Sequence, residues 1–120
     1  MANPSKVKGT AYETEVTGYL NDVEHIMGKA ERTGSADFGA ADIHQGDWTF
    51  ECKAEKSIDL PGYLKQLAAA VTRSGRMQIK SAVWVKNRRH SVDDSYVVMS
   101  GENYASLMLY IKYLEGKSNG

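Results

Sequence analysis

The sequence predicts an α/β domain whose helices flank a mixed central sheet, and three observations predict it. Apolar residues recur at helical spacing near both ends and in the middle of the chain. A glycine-centred hairpin signal lies between the first two of those helices, and one short run, Ala82-Val83-Trp84-Val85, is apolar at every position. A hairpin is antiparallel, whereas a strand reached through a helix can lie parallel to the one before it. The expected order is helix, two or three strands, helix, strand, strand, helix. With 120 residues, 42% of them hydrophobic, the chain suits one core and is too short for two. Residues 1–120 are therefore read as a single domain, with 1–7 and 116–120 as flexible ends.

Taken in order, Met1 to Val7 is a polar lead-in containing Pro4. From about Thr10 to Met27, Tyr12, Val16, Tyr19, Leu20, Val23 and Met27 recur at three and four, the signature of an amphipathic helix. Glu13 and Glu15 fall at opposite borders of that stripe, and either can lean inward. Gly28 ends the helix, and Lys29 to Ala41, rich in Gly, Ser and Ala, is a connection with room for a short strand. Arg32 and Asp37 lie within it.

Gly46-Asp47 then reads as a two-residue hairpin loop, since Gly at the first central position suits a type II′ turn. That loop fixes a register in which Gln45 faces Trp48, His44 faces Thr49, Ile43 faces Phe50 and Asp42 faces Glu51. Alternation along the strands gathers Asp42, His44, Thr49, Glu51 and Lys53 on one face and Ile43, Trp48, Phe50 and Cys52 on the other. Two carboxylates directly opposite one another, roughly 5 Å apart at Cβ, destabilise a sheet unless a positive charge sits between them. A hard divalent cation with oxygen ligands, such as Mg²⁺, is the simplest candidate. Asp37 is a rival ligand with no spacing that locks it to Glu51.

Asp59-Leu60-Pro61 reads as the start of a second long helix, with Tyr63, Leu67, Ala70 and Val71 as its buried stripe and Gly75 as its stop. Gln66 sits one position off that stripe, equally able to reach the acid-bearing strand or to remain a surface amide. Met77 to Val85 holds the strand apolar on both faces, Lys86 to Asp94 a charged loop, and Ser95 to Met99 a further short strand. Ser100 and Gly101 introduce a last helix from about Glu102 to Glu115. Its expected core stripe is Tyr104, Leu107, Met108, Ile111 and Leu114. Leu109, Tyr110 and Tyr113 remain outside it as an apolar flank, which points to a homodimer.

Fifteen basic and fifteen acidic residues give a formal net charge of zero, which argues against a simple polycationic nucleic-acid coat. The distribution is uneven: Arg73, Arg76, Lys80, Lys86, Arg88 and Arg89 run from 73 to 90 with no Asp or Glu among them. Such a segment can neutralise phosphates, or simply be a solvated loop. A single cysteine excludes an internal disulfide framework and fits a reducing cytosol. The polar N-terminus carries no secretory pattern, and no apolar run approaches the roughly 20 residues of a membrane span. A cytoplasmic protein without a membrane partner is expected.

Asp42 followed by Glu51-Cys52-Lys53 resembles the signature of the PD-(D/E)XK nuclease superfamily, whose restriction-endonuclease-like fold has an αβββαβ core in the order just read. Lys8-Gly9-Thr10-Ala11-Tyr12-Glu13 is similar to the Lys-Gly-Ser-x-x-Glu opening of archaeal-type Holliday junction resolvases within that superfamily. The likeness runs from Lys8 to about the end of the last helix and departs at Ala41, where the family marker has proline. It implies an Mg²⁺-dependent endodeoxyribonuclease, with Mn²⁺ as a substitute metal. Asp42, Glu51, Glu13 and the backbone carbonyl of Cys52 are then the metal ligands. Lys53 orients the attacking water or stabilises charge on the phosphate, and Gln66 matches a glutamine found after the Glu-x-Lys strand in several branches.

DNA contacts are expected from Arg76, Lys86, Arg88, Arg89 and Lys8, and the expected substrate is branched DNA cut by a homodimer in recombination. Phage or mobile-element origin follows from resemblance alone, with the host cytoplasm as the location. His44 reads as a sheet residue and Cys52 as core. The alternatives are a nuclease acting on flaps or single-strand ends, and a catalytically silent nucleic-acid-binding module of the same fold. A further alternative is a salt-bridged solvent face with no chemistry at all.

Overall fold

The computed structural model describes residues 4–22, 28–33 and 41–119, and side chains from Gly9 to Lys117 within them. It is an α/β fold with one five-stranded mixed sheet and three helices: α1 (Pro4–Asp22), β1 (Ala30–Arg32), β2 (Ile43–Gln45), β3 (Trp48–Lys53), α2 (Leu60–Ser74), β4 (Ser81–Val85), β5 (Tyr96–Val98) and α3 (Gly101–Asn119). The strands lie in sequence order across an open sheet. Only β3 and β4, joined through α2, are parallel; every other neighbouring pair is antiparallel. That α2 returns the chain to the starting end of the sheet is what makes them so.

Alternation along the central strands sorts the core into two layers. Ile43, Phe50, Cys52, Ala82 and Trp84 pack with Tyr12, Val16 and Leu20 of α1, and Val83 and Val85 pack with Tyr63, Leu67 and Val71 of α2. Strand β4 is buried throughout, as a strand covered by helices on both faces must be. The expected α2 is reproduced in detail. Asp59 caps it by accepting from the Gly62 amide (Oδ1, 3.1 Å), Pro61 occupies the first turn, and Gly75 closes it in the left-handed region at φ +66°.

Three expectations about the helices change. Helix α1 begins at Pro4, so 4–7 are helical and not a loose lead-in; proline at a first helical position gives up an amide that has no intrahelical partner anyway. Val23, Met27 and Asp37 lie outside the described residues. At the other end α3 continues to Asn119, past the expected fraying point. Its expected core stripe is the larger correction. Tyr104, Met108, Ile111 and Leu114 are exposed, Leu107 is only half-buried, and the side chain that anchors the helix is Asn103. Asn103 donates from Nδ2 to the carbonyls of Gln78 (2.8 Å) and Ser81 (3.1 Å). No helix among the described residues is long and apolar enough to cross a membrane.

The hairpin register is as expected over three pairs, Ile43 with Phe50, His44 with Thr49 and Gln45 with Trp48. Gly46 has φ +56°, the positive value that a II′ loop needs at its first central residue. The fourth expected pair does not form. Asp42 stands in a bend just before β2, held to β1 by the Thr33 amide donating to its carbonyl (3.1 Å).

Candidate active site

Asp42 stands outside the ladder, its carbonyl held by the Thr33 amide. Its carboxylate turns instead to the exposed edge of β3, where Oδ2 accepts from the Cys52 amide at 2.8 Å. The amide and carbonyl of one strand residue point to the same edge. The Cys52 carbonyl therefore faces the Asp42 side, beyond the last β2 pair, while the Lys53 carbonyl faces β4 and accepts from Lys86 (2.9 Å).

Three acids meet at this edge. The Asp42 carboxyl interacts by charge and by a shared hydrogen bond with both Glu13, from α1, and Glu51, from β3. Glu51 is half-buried, and burial first, then the Asp42 carboxylate, pushes its carboxyl up to about 8, against the pull of Lys53. Glu13 is raised likewise, by burial and then by Asp42, while Arg32 works in the other direction. Arg32 Nη2 stands 3.2 Å from Glu13 Oε2. Glu15 is exposed, so Glu13 is the helix acid that leans inward.

Lys53 occupies the same face of β3 as Glu51, one residue pair further along. Its Nζ donates to Gln66 Oε1 at 2.5 Å and lies 5.5 Å from the centre of the Tyr63 ring. Tyr63 and Gln66 are three apart on α2, so one helical face presents an aromatic surface and an amide to the same ammonium. Of the two sequence readings of Gln66, contact with the acid-bearing strand is the one realised. Cys52 packs into the α1 layer, and burial above all raises its thiol far from the thiolate range, so it offers no nucleophile. His44 is half-buried within β2.

The basic run is cut in two by β4. Lys86, Arg88 and Arg89 emerge at the carboxyl end of β3 and β4, the end that carries Lys53; Arg89 takes φ +67° in the turn there. Arg76 sits at the opposite end and is committed to the hairpin. It donates from Nε to Thr49 Oγ1 (2.6 Å) and from Nη2 to the carbonyls of Trp48 (3.0 Å) and Gly46. The expected phosphate contact therefore becomes a structural clamp at Arg76. Lys8 has its side chain outside the described residues.

Sequence reasoning missed Arg32 and Tyr63 as members of this cluster. The i, i+3 spacing of Tyr63 and Gln66 was the available signal for one. Nothing local marked Arg32, whose direction depends on β1 pairing with β2. Among the described residues no group of three or more His, Cys, Asp or Glu side chains stands ready-made to hold a metal ion. Glu13 is paired with Arg32, and Asp42 accepts from the Cys52 amide. Comparison with known proteins matches no family model, no curated protein and no solved structure.

Proposed function

We propose that the chain is a metal-dependent DNA endonuclease of the PD-(D/E)XK type, in its most specific form a Holliday junction resolvase. The observation that carries this reading is the convergence of Glu13, Asp42 and Glu51 at the edge of β3 with Lys53 on the neighbouring position. In open α/β sheets, ligand sites lie outside the carboxyl ends of parallel strands, and Lys53 with the 86–89 loop is at that end.

The donor set fits a hard divalent cation. Burial first, and then the neighbouring Asp42 carboxylate, raise the proton affinity of Glu13 and Glu51, and the Cys52 carbonyl adds an oxygen on the same side. Mg²⁺, with Mn²⁺ as substitute, would be held by Asp42, Glu51, Glu13 and that carbonyl, and would supply Lewis-acid polarisation of the phosphate and a more acidic bound water. The rest of the work belongs to the chain. The Cys52 amide fixes Asp42, Arg32 restrains Glu13, and Gln66 with Tyr63 holds the Lys53 ammonium where charge on a phosphate oxygen needs stabilising.

The test is a cleavage assay in Mg²⁺ and in Mn²⁺ on duplex, flap and four-way-junction DNA, with Asp42→Asn and Lys53→Ala beside the wild type. Junction cleavage by the wild type is expected to fall by about 10²–10³ in Lys53→Ala, the usual effect of removing one transition-state contact. Preference for flaps or single-strand ends would reassign the substrate. A binding-only module is the second reading, favoured by the absence of a ready-made ligand triplet among the described residues. Junction binding without cleavage in either metal would establish it and sink the nuclease.

A further inference from the structure

We propose that α3, where it leaves the domain, carries a stacking platform for single-stranded DNA, built from Tyr110 and Tyr113 between Lys80 and Lys117. The stacking does not rest on the nuclease reading; the choice of DNA as the strand does.

Asn103 turns one face of α3 to the domain by donating to the carbonyls of Gln78 (2.8 Å) and Ser81 (3.1 Å). Ser106, Tyr110, Tyr113 and Lys117 follow it at spacings of three, four, three and four, so they continue that face. From Met108 to Lys117 every residue is exposed. Rings and ammonium groups alternate along the strip. Lys80 Nζ lies 5.7 Å from the centre of the Tyr110 ring, and Lys117 Nζ lies 5.8 Å from the centre of the Tyr113 ring. Between them the two tyrosine rings are stacked, with centroids 6.4 Å apart and planes inclined by 22°. Both tyrosines are more than half exposed, at 53% and 60%.

At the domain end of the strip a groove of about 180 Å³ opens between Trp48, Ile79, Lys80, Ser106, Leu107 and Tyr110. Trp48 is half-buried and stacks on Phe50 (5.9 Å, 20°), which gives the groove a fixed aromatic wall. The groove is smaller than the roughly 300–1,000 Å³ of a drug-sized pocket, a space for one flat ring. Trp48 is five residues from Lys53 along β3, roughly 17 Å, so the platform is separate from the acid cluster and leaves it open.

Charge and shape together select the occupant. An apolar protein surface laid on the strip would desolvate two ammonium groups without pairing them. An unpaired strand offers a flat base to each ring and a phosphate to each ammonium, the combination that holds single strands without regard to sequence. A duplex keeps the faces of its bases inside the stack, out of reach of the rings. The acids of α3 stand aside: Glu115 is two residues from Tyr113 and from Lys117 and so falls off their face, and Glu102 is in the first turn. Asp47 is the acid that meets the strip, 3.4 Å from Lys80 with its side chain 71% exposed. An ion pair so open to water exchanges readily for a phosphate.

Fluorescence anisotropy of the full chain in EDTA reads binding without cleavage, so its failure is distinct from failure of the nuclease reading. The probes are a labelled oligo(dT) and an abasic strand of the same length, which keeps the phosphates and lacks the bases. Oligo(dT) should bind about tenfold or more tighter than the abasic strand. Tyr110→Ala and Tyr113→Ala should each weaken oligo(dT) binding about tenfold, as loss of one base–ring stack does. Neither should alter abasic binding or the melting temperature appreciably, since both rings lie outside the core. Asp47→Asn, which frees Lys80 and suits a hairpin loop, should tighten binding of both strands. Equal affinity for the two strands, full oligo(dT) binding by both tyrosine variants, weaker binding by Asp47→Asn, or a preference for oligo(rU) would each overturn the proposal. No strand binding would also overturn it, assigning the face to a second copy if the wild type sediments as a dimer and to another protein if it sediments as a monomer.

Discussion

At the scale of single residues the site is a balance between burial and charge. Glu51, pushed up to about 8 from an ordinary 4.5, holds its proton more tightly in the folded chain than in the unfolded one. Its contribution to stability is therefore complete below about pH 4.5 and is lost as pH rises through 8. In EDTA, Glu51→Gln should remove that loss, leaving the variant equal to wild type near pH 4.5. By pH 9 it should be more stable by on the order of 1–2 kcal/mol, roughly 4–8 °C in Tm. Thermal melts across that range check the sign, and a variant less stable than wild type at pH 9 would refute the burial argument. Adding Mg²⁺ should stabilise the wild type and not the variant, since only a group that binds the ion in the folded state gains from it. Gln66→Ala tests the neighbouring contact. The Lys53 ammonium would keep its charge and its Tyr63 face while losing its amide partner. Turnover is accordingly expected to fall about tenfold, less than in Lys53→Ala, with junction affinity unchanged.

At the scale of elements, the hairpin depends on a clamp from a distant part of the chain. Arg76, just beyond α2, bonds Thr49, Trp48 and Gly46, which is to say the β2–β3 loop and the first residues of β3. Arg76→Ala should cost about 1–2 kcal/mol, as loss of a charged donor from part-buried acceptors does. It should leave the salt dependence of DNA binding unaltered, whereas a phosphate contact would behave in the opposite way on both counts. Denaturant unfolding and a salt titration separate the two. This element also shows what the sequence can and cannot carry. Helix α2 was legible to its caps because Asp59, Pro61 and Gly75 are local signals, and the hairpin because Gly46 alone dictates its loop. The turn of Asp42 toward Cys52 was not legible, since it depends on β1 holding the Asp42 carbonyl through Thr33. Periodicity likewise found the apolar stripe of α3 but carried no information on whether anything in the chain covers it.

At the scale of the whole molecule, β4 divides the basic run from Arg73 to Arg89 between the two ends of the sheet, and only one of those ends carries Lys53. Lys86, Arg88 and Arg89 share that end with Lys53, while Arg76 and Lys80 are engaged at the other, Lys80 with Asp47 (3.4 Å) and the Tyr110 ring. A chain with no net charge can therefore still draw a phosphate backbone to one place. Arg89 offers a clean way to test this. Its φ of +67° is a conformation glycine adopts without strain, so Arg89→Gly removes a charge while keeping the turn. The double variant Arg88→Ala, Arg89→Gly should melt within a few degrees of wild type. If each arginine neutralises one duplex phosphate, the slope of log Kobs against log[salt] should become shallower by about 1.8, at about 0.9 per phosphate. Binding should weaken similarly for every sequence tried, because phosphate contacts carry no base information. Fluorescence anisotropy on a four-way junction over a range of salt concentrations measures the slope directly. A slope equal to that of the wild type would mean that the loop is a solvated one and no part of a phosphate-binding face.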